Sequence, residues 1–177
     1  MNHAAAETRA APHVRPALSP AKGLLVLLAI IVLVVAFLAL SHAAGVTEVW
    51  AGFLFVLYWA AIEHVQMEKL VPSIVGSVAG LGIAYAMHAV PPLMGGAGWA
   101  IVLGVVVVAV YCQVMGWAPT LVNVAMMLFL TVGVVPAVQQ HANWRDAFAG
   151  LGLGIAFMVV LVVGGKWAAQ KLARRSK

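Results

Sequence analysis

Charge is scarce in this chain, and acidic charge is the scarcest. Only 8% of the 177 residues are charged, and five are Asp or Glu. A soluble domain carries about 25% charged residues. So few carboxylates leave little for acid–base catalysis, and no pair has catalytic spacing. The chain also lacks a nucleophile elbow, a phosphate-binding glycine loop and a Cys-x-x-Cys pair. An enzyme is therefore not expected, and no cofactor motif is present. Cysteine is almost absent as well. The single Cys112 excludes an internal disulfide and, within an apolar run, reads as an inert buried thiol.

Apolar residues fill the space that charge leaves, at 64% of the chain. A water-soluble fold of this size cannot hide that much apolar surface, so the bilayer is the expected solvent. The net charge of +5 raises nucleic acid as a partner, but its placement argues against it. Lys166, Lys171, Arg174, Arg175 and Lys177 close the chain, and Arg9, Arg15 and Lys22 precede the first apolar run. Basic residues beside apolar runs are topology signals.

The expected class is an all-α membrane protein with six transmembrane helices. Residues 1–21 read as a disordered tail, 22–169 as the membrane domain and 170–177 as a basic tail. The spans fall at about 23–42, 48–65, 70–90, 98–115, 118–138 and 144–168. Each stretch approaches what a core of about 30 Å needs at about 1.5 Å per residue. Ala39-Leu40-Ser41 resembles a weak signal-peptide cleavage site, but the first run exceeds a typical signal core, so a retained anchor is expected. Pro91-Pro92 and Gly95-Gly96 are expected to close the first half. Pro119 suits the first turn of span 5, and Pro136 should end or kink it. The Val105–Val108 run disfavours helix in water, yet unpaired backbone costs far more in lipid.

Six spans with both ends cytoplasmic put nine basic residues on the inner side and only Arg145 outside. Trp50, Trp99 and Trp144 then mark outer ends, and Trp117 and Trp167 inner ends, with Trp59 nearer mid-helix. Indole favours interfaces because its ring is apolar while its N–H needs a partner. Residues 80–85 read Gly-Leu-Gly-Ile-Ala-Tyr and residues 152–157 read Gly-Leu-Gly-Ile-Ala-Phe. They occupy the third and sixth runs, while Trp50-Ala51 and Trp117-Ala118 open the second and fifth. A three-span unit used twice enters the membrane in opposite senses. Two inverted three-helix repeats are thus the expected architecture, as in many channels and secondary transporters. Two glycine-rich packing helices of similar composition are the alternative.

Gly76 and Gly80 form one small-x-x-x-small pair and Gly150 and Gly154 another, each expected to let a second helix approach closely. Polar groups inside a membrane are costly and invite a functional reading. Glu63 and His64 suit a proton relay or coupling site, or an interfacial pair with Lys69. Ser73 and Ser77 share a face of span 3, and Thr120 and Asn123 lie near the start of span 5. With Thr131 they suit a polar path for a small neutral solute, or bonds within and between helices. His42, His88 and His141 share the expected outer side with Glu48, but they lack short ligand spacing, so no metal is expected there. Asp146 is expected to cap span 6.

Several short motifs resemble the YcdZ-like family of small bacterial inner-membrane proteins. They are Trp50-Ala51-Gly52-Phe53-Leu54, the turn Asn143-Trp144-Arg145-Asp146, Leu151-Gly152-Leu153-Gly154 and Trp167-Ala168. The resemblance covers roughly residues 47–170. It implies a bacterial inner membrane and several spans, and it attaches no activity. The chain departs where Glu63-His64-Val65-Gln66-Met67 stands in place of the family's Pro/Gly-rich turn, and the long N-terminal tail looks like an addition. The expected function is a small-solute channel or permease acting in the bilayer as a homo-oligomer, with no nucleic acid bound. A membrane accessory or envelope-stress protein is the alternative.

Overall fold

The computed structural model describes residues 19–175, except the side chains of residues 168, 169, 172, 173 and 175. Most of the expected N-terminal tail, and the last two residues of the C-terminal one, lie outside that range. The described residues form helices and connecting turns without a strand. The helices are α1 (Pro20–Ala43), α2 (Val49–Ala61), α3 (Leu70–Met94), α4 (Gly96–Met115), α5 (Val124–Gly133), α6 (Pro136–His141) and α7 (Trp144–Arg175). A short 3₁₀ turn, Met67–Lys69, leads into α3.

Four stretches are long and apolar enough to cross a membrane: Pro20–Ala43, Met67–Met94, Gly96–Met115 and Trp144–Trp167. Together they mark a membrane protein. The other two expected spans are shorter apolar helices, α2 with 13 residues and α5 with 10. At about 1.5 Å per residue they reach roughly 20 Å and 15 Å, against a hydrocarbon core of about 30 Å.

Several boundaries differ from the sequence reading. Pro119 and Thr120 lie in a turn before α5, not in its first helical turn. The helix begins only after Asn123, whose side-chain oxygen accepts the Met126 backbone amide at 3.1 Å. Pro136 does break the segment: α5 stops at Gly133 and Pro136 starts α6. Pro91 and Pro92 sit inside the last turns of α3 and do not end it. The reversal falls on Gly95 alone, whose φ of +58° suits glycine. The last helix continues through most of the expected basic tail, to Arg175.

The chain divides after Ala36. Residues 20–36 form an apolar helix with most side chains exposed. The core lies in residues 37–175. There α2 packs on α7 and α3 on both α4 and α5. Both α2–α7 and α3–α5 cross on glycine. A Cβ on Gly150 would lie 2.5 Å from the Glu48 carbonyl oxygen, and one on Gly154 would lie 2.5 Å from that of Gly52. A Cβ on Gly76 would land on the Asn123 amide, and one on Gly80 on the Met126 carbonyl oxygen. In each pair the contacts advance together along both chains, so the partners run parallel. Tyr85 and His88, late in α3, instead meet Phe148 and Trp144, early in α7, so α3 and α7 run antiparallel.

A single shift of 74 positions, the interval from Gly76 to Gly150, relates the two crossings. It carries the buried Ser73, Gly76, Ser77, Gly80 and Ala84 of α3 onto the buried Ala147, Gly150, Leu151, Gly154 and Met158 of α7. It also carries the buried Ala51, Gly52, Phe55, Val56 and Trp59 of α2 onto the buried Ala125, Met126, Phe129, Leu130 and Gly133 of α5. The hexamers that begin at Gly80 and Gly152 do not share this register. They match at a shift of 72, from Gly80 to Gly152, and both Gly82 and Gly152 face open space. Trp50 and Trp117 do not correspond either, because Trp50 is in α2 whereas Trp117 lies in the loop before α5.

Candidate functional site at the junction of α2, α3 and α5

The start of α3, the start of α5 and the end of α2 meet, and there the polar residues gather. Ser73 and Ser77, four apart on α3, are both buried. The Ser73 hydroxyl donates to the Lys69 carbonyl oxygen at 2.7 Å, the usual outlet for a helical serine in an apolar setting. The Ser77 oxygen is buried with no hydrogen-bond partner among the described residues. A buried hydroxyl without a partner costs about 1–3 kcal/mol, and the Gln113 amide oxygen and Trp144 indole nitrogen share that state.

The centre of the group is a residue that the sequence reading passed over. Tyr58, 2% exposed near the end of α2, donates its hydroxyl to the Glu63 carboxylate at 2.6 Å. The Ser73 hydroxyl and the Ala125 backbone amide face the same phenolic oxygen. The Tyr58 hydroxyl thus ties α2 to the turn that follows it, beside the starts of α3 and α5. Its sequence signal was its position, five residues before Glu63, the first carboxylate after α2.

That turn is built under strain. His64 and Val65 both take left-handed backbone conformations, with φ of +50° and +60°. For a β-branched residue such as Val65 this is a true outlier. Bonds on each side hold it: the Val65 amide donates to the Trp59 carbonyl oxygen at 2.9 Å, and the Trp59 indole donates to the Gln66 carbonyl oxygen at 3.1 Å. The result folds Glu63 back onto Tyr58. Glu63 therefore bonds inward to Tyr58, and no ion pair with Lys69 forms among the described residues. His64 is exposed and does not join the group.

Asn123 holds α5 to α3. Its amide nitrogen donates to the Pro72 carbonyl oxygen at 2.8 Å and also reaches the carbonyls of Pro119 and Thr120. Pro72 sits in the first turn of α3, and Asn123 is the N-cap of α5, so one side chain fastens the two helix starts. Thr120 contributes only its backbone; its side chain is exposed in the turn. Thr131 bonds back to the Met127 carbonyl oxygen within its own helix. Of the residues singled out as a path, the fold brings Glu63, Ser73, Ser77 and Asn123 to this junction, and leaves His64 and Thr120 outside it.

The other helix starts meet at Asp146. It does not cap its own helix: Asn143 does, its side-chain oxygen accepting the Asp146 amide at 3.3 Å. The Asp146 carboxylate instead accepts from the backbone amides of Thr47 at 2.6 Å and Glu48 at 2.8 Å, and from the Thr47 hydroxyl at 2.5 Å. It fastens α2 to α7 and places negative charge at the positive end of α2. Glu48 accepts the Asn143 amide and the Trp50 indole at 3.0 Å and 2.9 Å.

The three histidines expected on one side do not form a ligand set. His42 lies at the end of α1, His88 faces the Trp144 ring at 5.7 Å, and His141 ends α6. Among the described residues no three His, Cys, Asp or Glu side chains group as metal ligands would. No family model, no curated protein and no solved structure matches this chain.

Proposed function

We propose that this chain is a six-span protein of the bacterial cytoplasmic membrane, built from two inverted three-helix halves, that passes a small solute as a channel or permease. Both termini lie in the cytoplasm, following the positive-inside distribution of Lys and Arg. The observation that carries the reading is the pair of short helices. In transporters with inverted repeats, unusually short apolar segments at corresponding positions of the two halves mark the solute site. Here α2 and α5 are the two short ones, each crossing a long helix on glycine. A constant shift relates both crossings, and helices α3 and α7 run antiparallel. The solute path lies by α2, α3 and α5, where Tyr58, Glu63, Ser73 and Ser77 supply polar atoms between apolar walls. The chain works as a homo-oligomer, because helices this short leave little room for a deep private cavity.

One observation favours a second reading, a non-transporting accessory or envelope-stress protein. The core beside the junction is filled by Phe55, Phe129, Leu81, Leu151 and Met158, all below 2% exposure. A tightly filled interior suits a scaffold as well as a closed state.

Flux into proteoliposomes separates the two. Wild-type protein should pass a water-sized or small neutral solute faster than empty vesicles, and Asn123→Leu and Ser73→Leu should each cut that rate by about tenfold or more, the loss of one charge-free polar anchor or path group. Wild-type flux equal to that of empty vesicles for ions, water and small neutral solutes would remove the permease reading.

A further inference from the structure

A cavity of about 470 Å³ lies away from the junction, at the end of α3 and the start of α4. Met87, His88, Pro91, Pro92, Trp99, Val134 and Gln139 line it. Its chemistry follows from the two prolines. Pro91 and Pro92 lie inside the helix, and neither has a backbone N–H to give. The carbonyls of Met87 and His88, four residues earlier, therefore lose their regular i+4 helical donors. These carbonyls point along the helix toward the prolines, and all four residues line the cavity. No loop amide among the described residues donates to either oxygen, and the nearby side-chain amide of Gln139 donates elsewhere.

A third acceptor comes from α6. The Gln139 amide nitrogen uses both hydrogens, donating to the Ala84 carbonyl oxygen at 3.0 Å and to that of Gly133 at 2.7 Å. This fixes the amide's orientation and leaves its oxygen without a donor among the described residues. The remaining wall is apolar or aromatic, and Trp99 is 50% exposed. Freed backbone oxygens in a membrane protein call for a donor from outside the helix. Three acceptors match the three hydrogens of a primary ammonium, and an indole face attracts a cation.

We infer that this cavity binds a primary ammonium group, held by the carbonyls of Met87 and His88 and the Gln139 amide oxygen beside Trp99. The same chemistry is offered by a free small amine and by the ethanolamine headgroup of a lipid. The site goes beyond the permease reading, since it binds its ligand whether or not the chain moves anything.

The test uses the full chain in maltoside micelles, titrated calorimetrically with methylammonium and with tetramethylammonium, which has no N–H. Native mass spectrometry then compares retention of phosphatidylethanolamine and phosphatidylcholine. Methylammonium should bind at least about tenfold more tightly than tetramethylammonium. Replacing both prolines, Pro91→Ala with Pro92→Ala, returns the helical donors and should weaken binding by a similar factor. Gln139→Leu should do so too, and it keeps the test decisive if the double variant fails to fold. Selective retention of the ethanolamine lipid, displaced by methylammonium, assigns the site to a headgroup; methylammonium binding without lipid preference assigns it to a free amine. Equal affinity for the two cations with no lipid preference, or binding that survives both sets of substitutions, would overturn the inference.

Discussion

The two glycine crossings share a backbone device and differ in how far it runs. The α3–α5 pair is a continuous seam. Gly76 and Gly80 begin it, and further along a Cβ on Gly133 would collide with Ala84. The α2–α7 pair gathers three glycines at its start, Gly52, Gly150 and Gly154, but the positions that correspond to Gly133 and Ala84 hold Trp59 and Met158. Large side chains set a larger distance between helix axes. One pair thus keeps small residues along its length, while the other carries bulky Trp59 and Met158 toward the strained turn and the Tyr58–Glu63 bond. The same contact repeats along α3–α5 and gives way to buried bulk along α2–α7. The fastenings differ too. Asp146 holds the α2–α7 pair with a charged acceptor on backbone amides, and Asn123 holds the α3–α5 seam with a neutral amide on a carbonyl.

The largest expected effect breaks both pairs at their glycines. Gly80→Val and Gly154→Val each drive a branched side chain into a backbone carbonyl, at a cost of roughly 1–3 kcal/mol or more. Both should lower the apparent Tm in micelles and broaden size-exclusion profiles. Gly82→Val and Gly152→Val place the same group in open space and should leave both measurements unchanged, although the hexamer match would rank all four alike. If Gly152→Val proves as harmful as Gly154→Val, the 74-residue register is wrong. A smaller effect sharpens the contrast between fastenings. Asn123→Ala removes a helix cap worth about 1 kcal/mol, and its Tm loss should not depend on pH. Asp146→Ala should also lower Tm, but by an amount that shrinks in acid, where the native carboxylate protonates and its bonds to the α2 amides lose their charge assistance. Equal pH profiles for the two variants would erase the distinction.

Much of this was legible before any coordinates. Long apolar runs predict helices because a bilayer leaves backbone groups no other partner, and the Gly-x-x-x-Gly pairs predict close crossings because nothing but a missing side chain opens that path. What escaped the sequence depended on distant partners. Asp146 reads as a cap for its own helix, but its amide donors lie 98 and 99 positions away. Tyr58 looks like one more aromatic residue in an apolar run, since the bond that defines it requires a strained turn that Val65 disfavours locally. The late start of α5 was hidden because Trp117 to Val122 are as apolar as a helix, and only the Asn123 cap marks the boundary. The hexamers misled for a simpler reason. In a chain rich in glycine, leucine and alanine, letters recur by composition, whereas burial recurs only where packing does.

The central claim is that the two short helices begin on opposite faces of the membrane. Single cysteines at Ala44, before α2, and at Thr120, before α5, both exposed, test it in a Cys112→Ser background. A membrane-impermeant maleimide applied to intact cells should label Ala44→Cys and reach Thr120→Cys only after the membrane is opened. Labelling of both positions from the same side would contradict the inverted arrangement and the permease built on it.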